Sequence, residues 1–359
     1  MTCYSPLIRI AKNYPWCDTS VTLKIVGPSD YGGEEHFYEF YNSMEQYIRS
    51  NFPRKEWKNL VYQRIPCGKC RGCRLDYSKE WATRCTLEAS MWNHNWFVTM
   101  TYDEEHKPYK DEFIDDKGIT WTDPGTWNGY LEPIDVMLFH KRLRQHLSRH
   151  FNHEGYRFYY CGEYGETYER PHYHELMFNM PIDCRDLKYL RMSKSGFPIF
   201  ECQWLSDTWG KGLVTVQEYH WSAAAYTARY IMKKQTGDYS SEYYAMRGQT
   251  PEMVNMSRMP GIARIFYEQH KNEIYDLDEI VMKVGKDTVK SLKPPKYYDR
   301  CYDIDYPEDM ARIKKIRQDN ANEAEKLKMS KTSLTLLKQL QLEERNLEAR
   351  TKILKKTEF

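Results

Sequence analysis

Tyr156-Arg157-Phe158-Tyr159-Tyr160-Cys161-Gly162-Glu163-Tyr164-Gly165-Glu166-Thr167-Tyr168-Glu169-Arg170-Pro171-His172-Tyr173-His174-Glu175-Leu176-Met177-Phe178 reads as two strands and the turn between them. Tyr156 to Tyr160 and Tyr173 to Phe178 are aromatic and apolar, whereas Gly162 to Pro171 is turn-prone, and this pattern predicts an antiparallel hairpin. A strand alternates its faces, so His172 and His174 project to one side and Tyr173 and Glu175 to the other. Two parallel imidazoles make half of a divalent-metal site. On the triplet alone, two satisfied histidines at a strand edge weigh more heavily. Glu163, nine residues before His172, shifts that balance by returning a carboxylate to the same face, with Glu166 and Glu169 as alternatives. Two nitrogens and one oxygen leave positions for phosphate oxygens or water, so Mg²⁺ or Mn²⁺ suits the set.

Moving outward, Ala82, Cys85, Ala89 and Trp92 recur at helical spacing and predict a helix over 74–92, with Cys85 in its core face. Trp96 to Tyr102 reads as a strand. Val136, Phe139, Leu143 and Leu147 predict a helix from Ile134, with a basic exterior carrying Lys141, Arg142, Arg144 and Arg149. Leu213 to Tyr219 alternates as a further strand, and Trp221 to Lys234 is Ala-rich and helical, stopping before Gly237. Together these elements predict an α+β fold, an antiparallel sheet with flanking helices. No regular element is legible in residues 1–60, segment 103–130 reads as an irregular excursion, and 238–306 reads as loop-rich with short helices. Beyond Glu308 the composition shifts to Lys, Glu, Leu and Ala; with 13 basic and 7 acidic residues, 311–359 reads as a basic helix or helical pair. Leu336, Leu340, Leu347 and Leu354 give this C-terminal helical arm its apolar stripe. The expected division is 1–92 as an N-terminal region with a Cys-rich cluster, 93–306 as the catalytic domain, and 307–359 as the arm.

The chain of 359 residues is 41% hydrophobic and 15% aromatic, values of a globular protein rather than a disordered one. The net charge of +2 makes no case for a polyanion partner, so any nucleic-acid surface must come from segregated charge. No apolar run approaches the roughly 20 residues of a membrane helix, and the N-terminal residues carry no secretion signal, which together predict an intracellular protein with no membrane partner.

Two more groups of residues carry chemistry. Tyr226 and Tyr230 are four apart and Lys233 follows three later, which puts two phenols and a cation on one helix face. In a chain with 30 tyrosines such a pair is, by itself, ordinary core packing. Cys67, Cys70 and Cys73 are spaced to surround one structural zinc, with Cys3 or Cys17 as a fourth ligand, although no second Cys-x-x-Cys follows; three free thiols are the equal alternative. Lys69, Arg71 and Arg74 beside them form a basic cluster suited to DNA phosphates or, equally, an ordinary solvated charge run.

A Thr-rich strand, a His-x-His strand and a Tyr-x-x-x-Tyr helix, in that order, resemble the motif set of the HUH endonucleases. Phe97-Val98-Thr99-Met100-Thr101-Tyr102 resembles their first motif, Arg170 to His174 the second, and Tyr226 to Lys234 the third. Cys67 to Arg74, Cys161 to Gly165 and Ser257 to Ile262 are similar to the replication initiation proteins of microviruses, especially the gokushovirus group. The resemblance spans roughly residues 60 to 270. It implies an RRM-like or ferredoxin-like core and rolling-circle replication of a circular single-stranded DNA phage genome in the cytoplasm of a bacterial host. In that scheme Tyr226 and Tyr230 are nucleophiles forming a 5′-phosphotyrosine at the origin, Lys233 assists, and His172, His174 and Glu163 hold the metal. Arg229 and Lys234 would contact DNA; Arg229 stands where relatives often carry Lys, and it keeps the charge without readily moving a proton. No phosphate loop is present, so a host helicase would unwind the duplex and a host DNA polymerase extend the nicked strand. The rival readings are a plasmid or transposon HUH enzyme and a non-catalytic zinc and nucleic-acid-binding module.

Overall fold

A computed structural model describes residues 3–14, 17–27, 44–153, 155–193, 195–229, 234–235, 239–283 and 288–357. The chain divides into two compact units, one formed by the residues up to Asp76 with Ala321–Lys356, the other by Tyr77–Asn320.

In the first unit, β1 (Leu7–Tyr14) is the middle strand of an antiparallel sheet between β2 (Cys17–Val26) and β3 (Leu60–Ile65). Ile8 and Ile10 point inward and are buried with Val26, Leu60 and the Met44 and Ile48 face of α1 (Met44–Asn51). Residues 1–60, for which no regular element was legible, thus contain a sheet whose strands alternate only over short stretches between Pro and Gly. α2 (Arg71–Ala89) follows; it begins about one turn earlier than expected and so takes Cys73 into its first turn.

The second unit is built on a seven-stranded, fully antiparallel sheet in the order β12-β7-β8-β4-β11-β10-β9. The strands are β4 (Asn95–Thr101), β7 (Arg157–Tyr164), β8 (Pro171–Phe178), β9 (Leu187–Met192), β10 (Pro198–Cys202), β11 (Val214–Glu218) and β12 (Met253–Met256). β7 and β8 are the expected hairpin, and β4 lies on the other side of β8, so the His-x-His strand is interior to the sheet. Within 103–130, β5 (Glu112–Ile114) and β6 (Thr120–Thr122) form a short hairpin whose turn is organised by the Asp115 carboxylate accepting from the Lys117 and Ile119 amides.

Helices cover both sheet faces. On one face, α3 (Pro133–Phe151) buries the predicted stripe of Val136, Phe139, Leu143 and Leu147 against Val98, Met100, Tyr173 and Met177, with Trp209 of α4 (Gln203–Trp209) beside them. Pro133 opens α3 with the fixed φ a first turn requires, and Asn152 closes it in the left-handed conformation. Each of those fully buried apolar side chains contributes about 1.5–3 kcal/mol. The other face carries Phe97, Tyr159, Leu176 and Phe178, covered by α2, α5 (Trp221–Arg229), α7 (Arg264–Leu277) and α8 (Lys296–Asp305). Cys85 is buried there, as expected. α6 (Ser240–Ala245) and the two-stranded β13 (Ile280–Lys283) and β14 (Val289–Leu292) complete the segment that read as loop-rich; its 14-residue α7 is longer than expected. α9 (Pro307–Met329) and α10 (Leu336–Thr357) form the C-terminal helical region, resolving the arm as a helical pair; Lys328 and Glu343 form an ion pair between them.

Candidate active site

The β7–β8 register brings the site residues together. Glu163 stands opposite His172 and Cys161 opposite His174, so the carboxylate and both imidazoles share one face. The turn between them is held from several sides. Gly165 N–H donates to the Arg170 carbonyl (3.0 Å), the Arg170 guanidinium donates to the Tyr102 carbonyl (2.6 Å), and Gln249 donates to the Glu169 carboxylate (3.1 Å). Glu169 takes a left-handed φ of 50° and pairs with Arg247, which occupies it away from the histidines. Among the alternatives left open by the sequence, it is therefore Glu163 that the fold places at the imidazoles.

Glu163 Oε1 lies 2.8 Å from His172 Nε2 and 2.9 Å from His174 Nε2, and one ligand atom from each of the three residues lies within 4.8 Å of the others. Glu163 and His174 are buried, whereas His172 is partly open. Burial pushes the Glu163 carboxyl upward, but the hydrogen bonds and charge of the two imidazoles outweigh it and leave it at about 2.

The ring orientations test whether a cation fits. His172 Nδ1 faces the Arg170 carbonyl at 3.0 Å, an acceptor only, so Nδ1 carries the hydrogen. In a neutral ring, Nε2 is then a lone pair aimed at a carboxylate lone pair, an arrangement that demands positive charge between them. His174 is oriented in turn by Thr99 Oγ1 at 2.9 Å from its Nδ1 and by the Phe97 ring stacked at 5.4 Å. Metal-ligating histidines are fixed through their second nitrogen in this way. Two inward nitrogens and one anionic oxygen fit a divalent cation such as Mg²⁺ or Mn²⁺. Thr99 and Phe97 were quoted in the first motif without an assigned role; their cross-strand position opposite β8 was the signal that could have given them one.

Tyr226 projects from α5 onto this triad. Its ring meets His174 edge-on at 5.2 Å and Phe97 at 6.3 Å. The helix lies close because its buried face is small, with Ala223, Ala224, Thr227 and Ala228, and its start is capped by His220 Nδ1 accepting from Ala223 N–H (3.0 Å). Burial, and next the Glu163 charge, push the Tyr226 phenol well above its ordinary value, while Arg229 at the end of α5 opposes them. Tyr230 and Lys233 lie outside the described residues; Lys234 is described and half-buried.

The first unit holds a second cluster able to take a metal. Cys3, Cys67, Cys70 and Cys73 converge with all four sulfurs within 4.8 Å of one another. Cys3 is thus the fourth member of the two weighed; the side chain of Cys17 lies outside what is described. Of the neighbouring basic residues, Lys69 is exposed, Arg74 is half-buried, and Arg71 stands 3.7 Å from Glu348 of α10.

Comparison with known proteins gives the same picture. The family described as replication-associated protein ORF2 matches residues 95–235, the span from β4 through the Tyr226 helix. Replication-associated protein ORF2 of Spiroplasma virus 4 is 36% identical over 242 residues, covering 67% of this chain and 68% of that protein. Replication-associated protein VP4 of Bdellovibrio phage phiMH2K is 30% identical over 261 residues, 71% of this chain and 72% of that protein. Replication-associated protein ORF4 of Chlamydia phage 1 is 28% identical over 172 residues, 47% and 38% of the two chains. No solved structure matches. The microvirus-like resemblance carried by the motifs is therefore also carried by the aligned length, and the chain belongs to the family of phage replication-associated proteins that includes ORF2 of Spiroplasma virus 4.

Proposed function

We propose that the protein initiates rolling-circle replication of a circular single-stranded DNA phage genome as a metal-dependent, site-specific DNA nickase and strand transferase. The observation that supports this most directly is the convergence of Glu163, His172 and His174 on one point, with the Tyr226 ring packed against His174. Those three residues would hold Mg²⁺ or Mn²⁺, and the bound cation would polarise a scissile phosphate and offset the negative charge that holds the phenol protonated.

The chain's own residues would then act as follows. The Tyr226 or Tyr230 phenol gives up its proton with the help of Lys233, and its oxygen attacks the phosphorus of a single-stranded origin. The P–O3′ bond breaks, a 5′-phosphotyrosine forms, and the departing oxygen takes a proton to become a free 3′-hydroxyl. The phosphotyrosine conserves the phosphodiester, so the other tyrosine can cut the regenerated origin and the freed 3′-hydroxyl can reseal the displaced strand. Arg229, Lys234 and the Lys69, Arg71 and Arg74 cluster supply phosphate contacts. The 93–306 region would carry this chemistry, flanked by the Cys-rich N-terminal region and the arm. Its partners would be origin DNA and the host polymerase and helicase, in the bacterial cytoplasm.

The test is incubation of the full chain with labelled single-stranded oligonucleotides tiled from its genome, with Mn²⁺ or EDTA, followed by a denaturing gel. A Mn²⁺-dependent protein–DNA adduct lost in the Tyr226→Phe/Tyr230→Phe double variant supports the proposal. Binding to every tile without any adduct would leave the non-catalytic nucleic-acid module as the better reading.

A further inference from the structure

We propose that Cys3, Cys67, Cys70 and Cys73 bind one zinc ion as four thiolates, a closed structural site that fastens the start of β1 to the first turn of α2. The sulfur spacing carries this reading. Cys67 Sγ and Cys73 Sγ are 4.0 Å apart, Cys70 Sγ and Cys3 Sγ are 3.9 Å apart, and all four lie within 4.8 Å. Four sulfurs about 2.3 Å from a central ion define a tetrahedron with edges of about 3.8 Å. A disulfide needs its sulfurs at about 2.05 Å, far closer than these pairs.

The surroundings are those of thiolates rather than core thiols. This chain buries Cys85, Cys161 and Cys202 singly, whereas Cys67, Cys70 and Cys73 are half-exposed beside Lys69 and Arg71. Backbone amides point at the sulfurs: Cys70 N–H to Cys67 (3.2 Å), Cys67 N–H to Cys3 (3.3 Å), Tyr4 N–H to Cys70 (3.4 Å) and Cys73 N–H to Cys70 (3.5 Å). Such donors spread the negative charge that four thiolates bring to one ion and fix the direction of each ligand.

Soft sulfur ligands select zinc over the Mg²⁺ or Mn²⁺ suited to the Glu163 site, and a complete set of four leaves no position for a reacting water. The role follows from connectivity. Leu7 pairs with Ile65 at the end of the β1–β3 ladder, Cys3 lies four residues before Leu7, and Cys67 lies two after Ile65. One ion therefore closes that end of the sheet and ties it to Cys73 in α2.

The experiment uses the full chain purified without chelators or added metal. Elemental analysis is expected to find about one zinc per chain, released on titration with a mercurial and followed with a chromogenic chelator. Replacement by Co²⁺ is expected to give the intense visible absorption of a tetrahedral thiolate site. Cys3→Ser and Cys70→Ser should each lose the zinc, and Cys184→Ser, at an exposed cysteine outside the cluster, should keep it. Should the serine variants fail to fold, the wild-type stoichiometry and Co²⁺ spectrum still decide. A folded chain without zinc, iron in its place, a pale octahedral Co²⁺ spectrum, or full zinc retention in folded Cys3→Ser would each overturn the proposal. None of these outcomes bears on Mn²⁺-dependent DNA cleavage, so the two readings fail separately.

Discussion

His140→Phe should remove an acid-sensitive component of stability. His140 sits on the sheet face opposite the candidate active site, 5% exposed, its ring stacked 4.0 Å from Phe158 and its Nδ1 2.5 Å from the Tyr156 hydroxyl. Nε2 has no hydrogen-bond partner among the described residues. Burial, with Arg144 adding to it, lowers its pKa from 6.5 to about 3. The nearest carboxylate, Glu175, is 3.8 Å away, and burial holds it well above the usual carboxylate range, so it offers His140 no negative charge. As pH falls through 6.5 the unfolded chain takes a proton on this ring, and the native state refuses it until about pH 3. The stabilisation from a neutral His140 is therefore complete above pH 6.5 and declines below it by about 1.4 kcal/mol per pH unit. Between pH 6.5 and 4.5 wild type should lose about 2.7 kcal/mol that His140→Phe does not lose. The lost Tyr156 hydrogen bond adds a pH-independent offset of about 1 kcal/mol against the variant. Urea unfolding of both proteins at pH 6.5, 5.5 and 4.5 measures the difference, in which all other titrations cancel. A gap that stays constant across the three values would refute the reasoning, and one that changes only above pH 6.5 would show His140 charged and paired with Glu175.

Thr99→Val removes the hydroxyl that orients His174 Nδ1 and should weaken Mn²⁺ binding about 10–100-fold by calorimetry, with unchanged affinity contradicting its positioning role. Glu88→Ala should destabilise the chain by about 3–5 kcal/mol in urea unfolding, because it strands the Arg157 guanidinium and the Ala263 amide that the buried carboxylate serves; a loss below about 1 kcal/mol would refute that account. Tyr226→Phe keeps the ring against His174 and Phe97 and should leave Mn²⁺ affinity within about twofold, so a large loss would mean that the phenol belongs to the metal site itself.

The parts of the fold legible in the sequence are those whose pattern is local. The stripe of α3 and the face alternation of β8 need only a helical or two-residue period, and both are where that period puts them. Glu163 was readable because hairpin closure maps nine residues of sequence onto one cross-strand pair. Cys3 could not be separated from Cys17, since 64 residues lie between Cys3 and Cys67 and only the β1–β3 pairing brings them together. Thr99 and Phe97 gained their relation to His174 from β4–β8 register, which spacing along one strand does not contain. β9 and β10 escaped notice because β9 is an edge strand with mostly exposed side chains, so neither alternation nor an apolar run marks it.

The most direct test of the central claim is to digest the Mn²⁺-dependent protein–DNA adduct with trypsin and nuclease and locate the nucleotide remnant by mass spectrometry. Cleavage after Arg229 puts Tyr226 and Tyr230 on different peptides, so the two are read independently. A remnant on Gly212–Arg229, on Tyr230–Lys233, or on both, and absent with EDTA, is the predicted result. A remnant on any other residue, or none at all, would contradict the assignment.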